Sequence, residues 1–177
     1  MLGTAANSSV TPVAGQRPIL AVDVDGVISL FGFDQALTEA PGELTMIDGM
    51  LHCISLPAGD RLRRLSEHYD LIWATGWEER ADEHLPTLLG LPRGLPVLRF
   101  AGRARFGTAH WKVDAIDEYA GHRPLAWIDD NLDETCERWA ADRDAPTLLV
   151  PTESDRGLEE AHVGALVDWV ERGFDPR

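Results

Sequence analysis

The sequence predicts an α/β domain: a doubly wound (Rossmann-like), mostly parallel five-stranded sheet with helices on both faces. Three observations predict it. Apolar runs of strand length alternate along the chain with stretches that show helical periodicity. The runs ILAVDVDGV, LIWATGW and PLAWIDDN are apolar on both sides of the strand, as strands covered on both faces must be. Each of those three also ends in polar residues: Asp23 and Asp25, Thr75, and Asp129 and Asp130.

The elements follow in order. Residues 1–17 read as a flexible tail ahead of a single domain over 18–177, and they lack the basic and apolar regions of a signal peptide. ILAVDVDGV, residues 19–27, is the first strand, and 28–41 are irregular. GELTMIDGMLHCISL alternates around Asp48-Gly49, a two-residue hairpin signal, so residues 43–56 form a small flap. A helix over 57–69 presents Leu62 and Leu65 on one face, and LIWATGW, 71–77, is the second strand. A helix over 78–89 leads to a shorter strand in LPVLRF and then to a loop bearing arginines. AHWKVDAIDEYA is a helix whose Trp111, Ala115, Ile116 and Tyr119 share a buried side. PLAWIDDN, 124–131, is a strand, a helix carries Cys136 and Trp139, TLLV is the last strand, and HVGALVDWVERG is the closing helix.

Composition narrows the function. At 177 residues, 44% hydrophobic and 26% charged, the chain suits one soluble domain, with no apolar run of membrane-spanning length. Cys53 and Cys136 show neither metal spacing nor a disulfide framework, which points to a reduced cytoplasmic setting. Sixteen basic and thirty acidic residues give a net charge of −14, which opposes strong general nucleic-acid binding but permits a local basic pocket.

In doubly wound sheets, sites form outside the carboxyl ends of the strands, where these acids would gather. Two carboxylate pairs at close range repel, and a hard divalent cation such as Mg2+ relieves them through oxygen ligands. One Asp can then attack phosphorus while another carboxyl group protonates the leaving oxygen. A hydroxyl and an ammonium, for which Thr75 and Lys112 are candidates, would hold the phosphoryl oxygens. DVDG alone could also be an Asp-rich turn, but it lacks the further ligands of a calcium loop. Lys112 could equally be a solvated surface lysine, with Arg105 as its rival.

Asp23-Val24-Asp25-Gly26-Val27 resembles the first motif of the haloacid dehalogenase (HAD) superfamily, Thr75 its second, Lys112 its third and Asp129-Asp130 its fourth. The resemblance runs over roughly residues 18–172. It implies a HAD-type phosphatase with Asp23 as nucleophile and metal ligand, and Asp25 as acid and base, with its backbone carbonyl on the metal. It implies that Thr75 and Lys112 hold the phosphoryl group and that Asp130 binds Mg2+, while Asp129 stands behind it and holds Lys112. Superfamily dehalogenases lack the second Asp of the first motif, so Asp25 points away from them. The short stretch between the first two motifs leaves no room for a large cap domain, which implies an open site accepting bulky substrates.

WATGWEERA, WIDD and the closing helix are similar to the phosphatase-like domain associated with bacterial RNA-repair proteins. The implied substrate is a phosphorylated small molecule or a nucleic-acid terminus. Gly76, Trp77 and Arg105 are candidate substrate contacts, with Trp111 a further ring beside the site and Arg99, Arg103 and Arg105 a basic cluster. Packing and solvation are the plain alternatives for these tryptophans and arginines, and Trp73, Trp127, Trp139 and Trp169 read as core. The rival functions are a phosphotransferase of the same superfamily and a non-catalytic phosphate-binding or signalling module. A response-regulator receiver would place its acidic pair before the acceptor Asp and its Lys last, an order this chain does not have.

Overall fold

Ile19–Val22 (β1) forms the axis of the sheet, and all four residues are buried. Alternation across the strand sends Leu20 and Val22 to one face and Ile19 and Ala21 to the other. A strand apolar on both sides needs cover on both sides. The computed structural model describes residues 16–34, 40–100 and 108–175 and shows how that cover is built.

After β1 the chain forms Ser29–Leu30 (β2), Glu43–Ile47 (β3) and Met50–Ile54 (β4), which pair antiparallel in the order β2-β4-β3. Asp48 and Gly49 join β3 to β4 with φ of 50° and 82°, the twist that a two-residue hairpin requires. Leu44, Met46 and Leu51 on this hairpin are exposed. Next come Leu56–Leu65 (α1), Asp70–Trp73 (β5) and Glu79–Leu89 (α2). Then follow a 3-10 turn over Ala109–Lys112, Val113–Ala120 (α3), Leu125–Asp129 (β6), Glu134–Asp142 (α4), Thr147–Pro151 (β7) and Glu160–Glu171 (α5).

The main sheet is parallel and four-stranded, in the order β5-β1-β6-β7. On one face, Leu62 and Leu65 of α1, Leu85 of α2 and Leu166 and Trp169 of α5 join Leu20, Val22, Trp73 and Ile128. On the other, Ile116 of α3 and Cys136 of α4 join Ile19, Ala21, Ile72 and Trp127. Trp73, Trp127 and Trp169 are core residues, and both cysteines are buried and free. Arg17 already lies against the domain, where its carbonyl accepts from Arg123 Nε at 3.2 Å. Among the described residues no helix is long and apolar enough to cross a membrane.

Two expectations are corrected. LPVLRF does not form a fifth strand: only Val97 pairs, in a parallel bridge to Trp73. Trp73 N donates to Pro96 O (2.8 Å) and Leu98 N to Trp73 O (2.9 Å), but Pro92 and Pro96 have no N–H with which to extend the ladder. The helix expected over 109–120 divides into the 3-10 turn and α3, and Tyr119, placed by periodicity on the buried side, is exposed. The change of pitch at Lys112 rotates the residues on either side out of one helical register.

Gly59 of α1 packs against α2, where an added Cβ would lie 2.5 Å from Leu89 O and 3.0 Å from Leu89 Cα. Helix propensity alone favours alanine over glycine by about 1 kcal/mol. Here the obstructing atoms are backbone and cannot swing aside, so overpacking outweighs propensity. Gly59→Ala should therefore destabilise the chain by about 1–2 kcal/mol in urea unfolding; a stabilised variant would contradict this close approach of the helices.

Candidate active site

The acids of the site continue buried strands. Asp23 follows β1, and its N–H donates to Ile128 O of β6 at 3.1 Å, so the Asp23 segment starts in register with the Asp129 segment. The Asp23 side chain is buried, with Oδ1 accepting from Val24 N at 2.8 Å. Asp129 closes β6 and is fully buried, with Oδ1 accepting from Asn131 N at 3.0 Å. Asp130 follows, and its Oδ2 accepts from Ser154 Oγ at 2.6 Å. Gly26, at φ 70°, makes room for that carboxylate, since an added Cβ would lie 2.1 Å from Asp130 Oδ2.

Lys112 ends the 3-10 turn, which is tied to the loop after β6 by Ala109 N donating to Asn131 O at 2.8 Å. Its side chain is no solvated surface lysine. At 3% exposure, it sets Nζ 2.8 Å from Asp23 Oδ2 and 2.6 Å from Asp129 Oδ2. Burial alone would depress its pKa, but Asp23 and Asp129 overcome burial and hold it above the ordinary lysine value. Arg105, the alternative for this position, lies outside the described residues, as does Arg103.

The remaining residues divide into those lining the cleft and those behind it. A cleft of about 230 Å³ is lined by Asp23, Asp25, Lys112, Asp129 and Asp130 on its polar side, and by Gly76, Phe31 and Trp111. Thr75 is fully buried and does not line it; its Oγ1 accepts from Trp77 N at 3.3 Å. Trp77 is itself only 7% exposed, and its indole N–H donates to Asp25 Oδ2 at 3.0 Å. Arg99 pairs with Glu79 and lines a different cavity, near Ala115 and Tyr119.

Three carboxylates, Asp23, Asp129 and Asp130, offer oxygen atoms that all lie within 4.8 Å of one another. Among these groups and Asp25, Lys112 is the cation in contact, so negative charge exceeds positive at the floor of the cleft. The imbalance shows in the acids. Crowding by protein, then the Asp23 charge, raises Asp25 to about 6 against the pull of Trp77 and Lys112. Burial, then Asp23, raises Asp129 to about 7. Burial raises Asp130 as well, with the Ser154 hydrogen bond opposing it. All-oxygen donors around excess negative charge suit a hard divalent cation such as Mg2+. The side chain of Asp25 points to Trp77 and stands outside the three-carboxylate group.

No family model matches the sequence, and no curated protein matches it. A solved structure does resemble it: the HAD domain of effector protein Lem4 from Legionella pneumophila, with a TM-score of 0.55 and 12% identity, covering 90% of this chain and 96% of that one. The likeness is one of fold. It extends over nearly the whole arrangement of strands and helices described above.

Sequence reasoning passed over Phe31 and the polar residues after β7. Thr152 Oγ1 donates to Gly26 O at 2.8 Å, and Ser154 holds Asp130. The signal was available, because PTESD follows TLLV just as the acids follow the other strands. Phe31 carried no such signal, since it reaches the cleft through β2, a strand of two residues.

The raised acids make stability depend on pH. Between the ordinary carboxylate value near 4 and about 7, the folded chain holds protons that the unfolded chain has released. Their contribution is complete below that range and is lost as pH rises through about 6 to 7. His52 and His162, lowered mainly by burial, contribute the opposite slope. In chelator, the melting temperature of the wild type minus that of Asp129→Asn should therefore fall between pH 5 and about 7.5, a difference in which the histidines cancel. A constant difference would mean that Asp129 keeps an ordinary pKa in the fold.

Proposed function

We propose that the chain is a Mg2+-dependent phosphomonoester hydrolase that works through a phospho-aspartate on Asp23. One observation carries this reading: Lys112 is buried between Asp23 and Asp129, with Asp130 and Asp25 on the same cleft. A buried ion pair adds little net stability, so a lysine held against a carboxylate that also lines an open cleft points to chemistry rather than to packing.

Mg2+ would be held by the carboxylates of Asp23 and Asp130 and the backbone carbonyl of Asp25. When bound, it supplies charge neutralisation that lets a carboxylate approach a phosphate. Asp23 attacks phosphorus and forms the acyl phosphate, and the ester oxygen leaves with the proton of Asp25. Asp25 then takes a proton from the water that attacks the acyl phosphate, releasing inorganic phosphate and restoring both acids. A carboxyl group near 6 is suited to give and take a proton around neutrality. Lys112 balances the charge of the phosphoryl oxygens, while Thr75, buried behind the cleft, supports the Trp77 backbone through its Oγ1. Asp129 orients Lys112.

A nucleotide or a nucleic-acid end is the substrate this reading favours. Phe31 and Trp111 give the cleft aromatic surface, and the net charge of −14 favours a short terminus over a long polyanion. Arg99 is engaged by Glu79, which weakens the case for a basic clamp at that position. Two buried free thiols fit a reduced cytoplasmic setting. Screening phosphorylated sugars, nucleotides and RNA ends tests the substrate: preference for a small sugar phosphate would overturn the nucleic-acid reading alone.

Chelator should abolish turnover of an aryl phosphate and Mg2+ should restore it; full turnover in chelator would remove the metal from the mechanism. Asp23→Asn preserves shape but removes the attacking charge, so kcat should fall by about a thousandfold or more while the fold persists. A structure with beryllofluoride should show the mimic on the Asp23 carboxylate. Its presence on another residue would reassign the nucleophile.

A further inference from the structure

We propose that Trp77 is a positioning residue for proton transfer: its indole N–H fixes Asp25 so that the proton transferred to the leaving group rides on Oδ1. The inference rests on the phosphatase reading above. Trp77 Nε1 donates to Asp25 Oδ2 at 3.0 Å. In a carboxylic acid the carbonyl oxygen is the better acceptor and the hydroxyl oxygen carries the proton. With an N–H committed to Oδ2, the proton belongs on Oδ1, and the same atom receives the proton of water in the second step. Asp25 lines the open cleft, so this bond limits the rotation that would carry its acidic proton away from the leaving oxygen.

The indole is held from several directions. His52 of β4 packs on it with ring centroids 4.7 Å apart, and His52 Nδ1 lies 3.0 Å from Ser29 Oγ of β2. The Arg80 guanidinium of α2 lies 5.5 Å from the ring centroid, and Arg80 Nε donates to Asp48 Oδ2, at the hairpin turn, at 2.6 Å. His84 Nε2 stands 3.3 Å from the same Asp48 oxygen. The next residue, Glu78, has φ 50°, a left-handed conformation that a non-glycine residue adopts only under constraint. Its carboxylate accepts from Phe100 N at 3.1 Å, which helps to hold that conformation. The hairpin and α2 thus grip the ring whose N–H reaches the acid.

Packing alone would not require this aim. Trp127, Trp139 and Trp169 show buried indole nitrogens with no hydrogen-bond partner among the described residues. Trp73 reaches Asp82 at 3.4 Å, away from the cleft. Trp77 directs its N–H at a carboxylate that lines the cleft.

Trp77→Phe removes the N–H and keeps an aromatic ring. The test compares kcat/KM, which reports steps up to formation of the phospho-enzyme, for an alkyl phosphate and a nitrophenyl phosphate. The alkyl leaving group needs its proton, whereas nitrophenolate leaves with little help. The variant should lose about tenfold or more with the alkyl ester and a clearly smaller factor with the nitrophenyl ester. Asp25→Asn should show the same pattern more strongly, and adding Trp77→Phe to it should cost little further, because one acts through the other. Equal losses on both esters, or full additivity in the double variant, would make Trp77 a packing residue and overturn the proposal. No turnover of either ester by the wild type would instead overturn the phosphatase reading on which the proposal rests.

Discussion

Lys112 is an ammonium 3% exposed, and the site is organised around keeping it charged. Removing a lysine from water is costly, and burial here acts against the charge. The cost is met by two carboxylates at 2.8 and 2.6 Å, contributed by the ends of two adjacent strands. Removing either acid would leave the other to balance the ammonium. Removing the lysine would leave Asp23 and Asp129 facing each other, with Asp130 close by.

The parallel pairing of β1 with β6 is what makes this triangle possible. Residues 23 and 129 are far apart in sequence, yet the register Val22↔Ile128 places both just beyond paired residues at one sheet edge. The lysine arrives from a third direction, through a 3-10 turn whose first N–H is pinned to Asn131 O. Apolar residues on both faces of β1 keep that register from slipping, since a shift of one residue would exchange the two faces. The core and the site therefore depend on the same alignment.

Glycines at two crossings allow the loops to close over the strand ends. Gly26 gives space to Asp130, and Gly157, at φ 67°, would place a Cβ 2.3 Å from Val27 O. The same loop supplies Thr152 and Ser154, so the residues after β7 hold both the Gly26 backbone and the Asp130 carboxylate. On the opposite side, the hairpin reaches α2 through Asp48 and Arg80. The fold thus joins a four-stranded parallel sheet, which carries the acids, to a short antiparallel hairpin whose Leu44, Met46 and Leu51 are exposed.

The sequence by itself determined the alternation of strands and helices, the hairpin at Asp48-Gly49, the buried Trp73, Trp127 and Trp169, and the placing of Asp23, Thr75 and Asp129-Asp130 at strand ends. These follow from local periodicity and turn chemistry, which act over a few residues. It overcounted the sheet, because periodicity registers the apolar residues of LPVLRF while the proline backbone limits their pairing to one bridge. Tertiary structure alone decided that Lys112 is buried, that Asp129 rather than Asp25 joins Asp23 and Asp130 in the carboxylate group, and that Ser154 steadies Asp130. It also turned Trp77 from the cleft toward Asp25, and brought Phe31 to the cleft. Each of these depends on contacts between segments distant in sequence, and no local pattern records which way a side chain turns once its strand or helix has been packed.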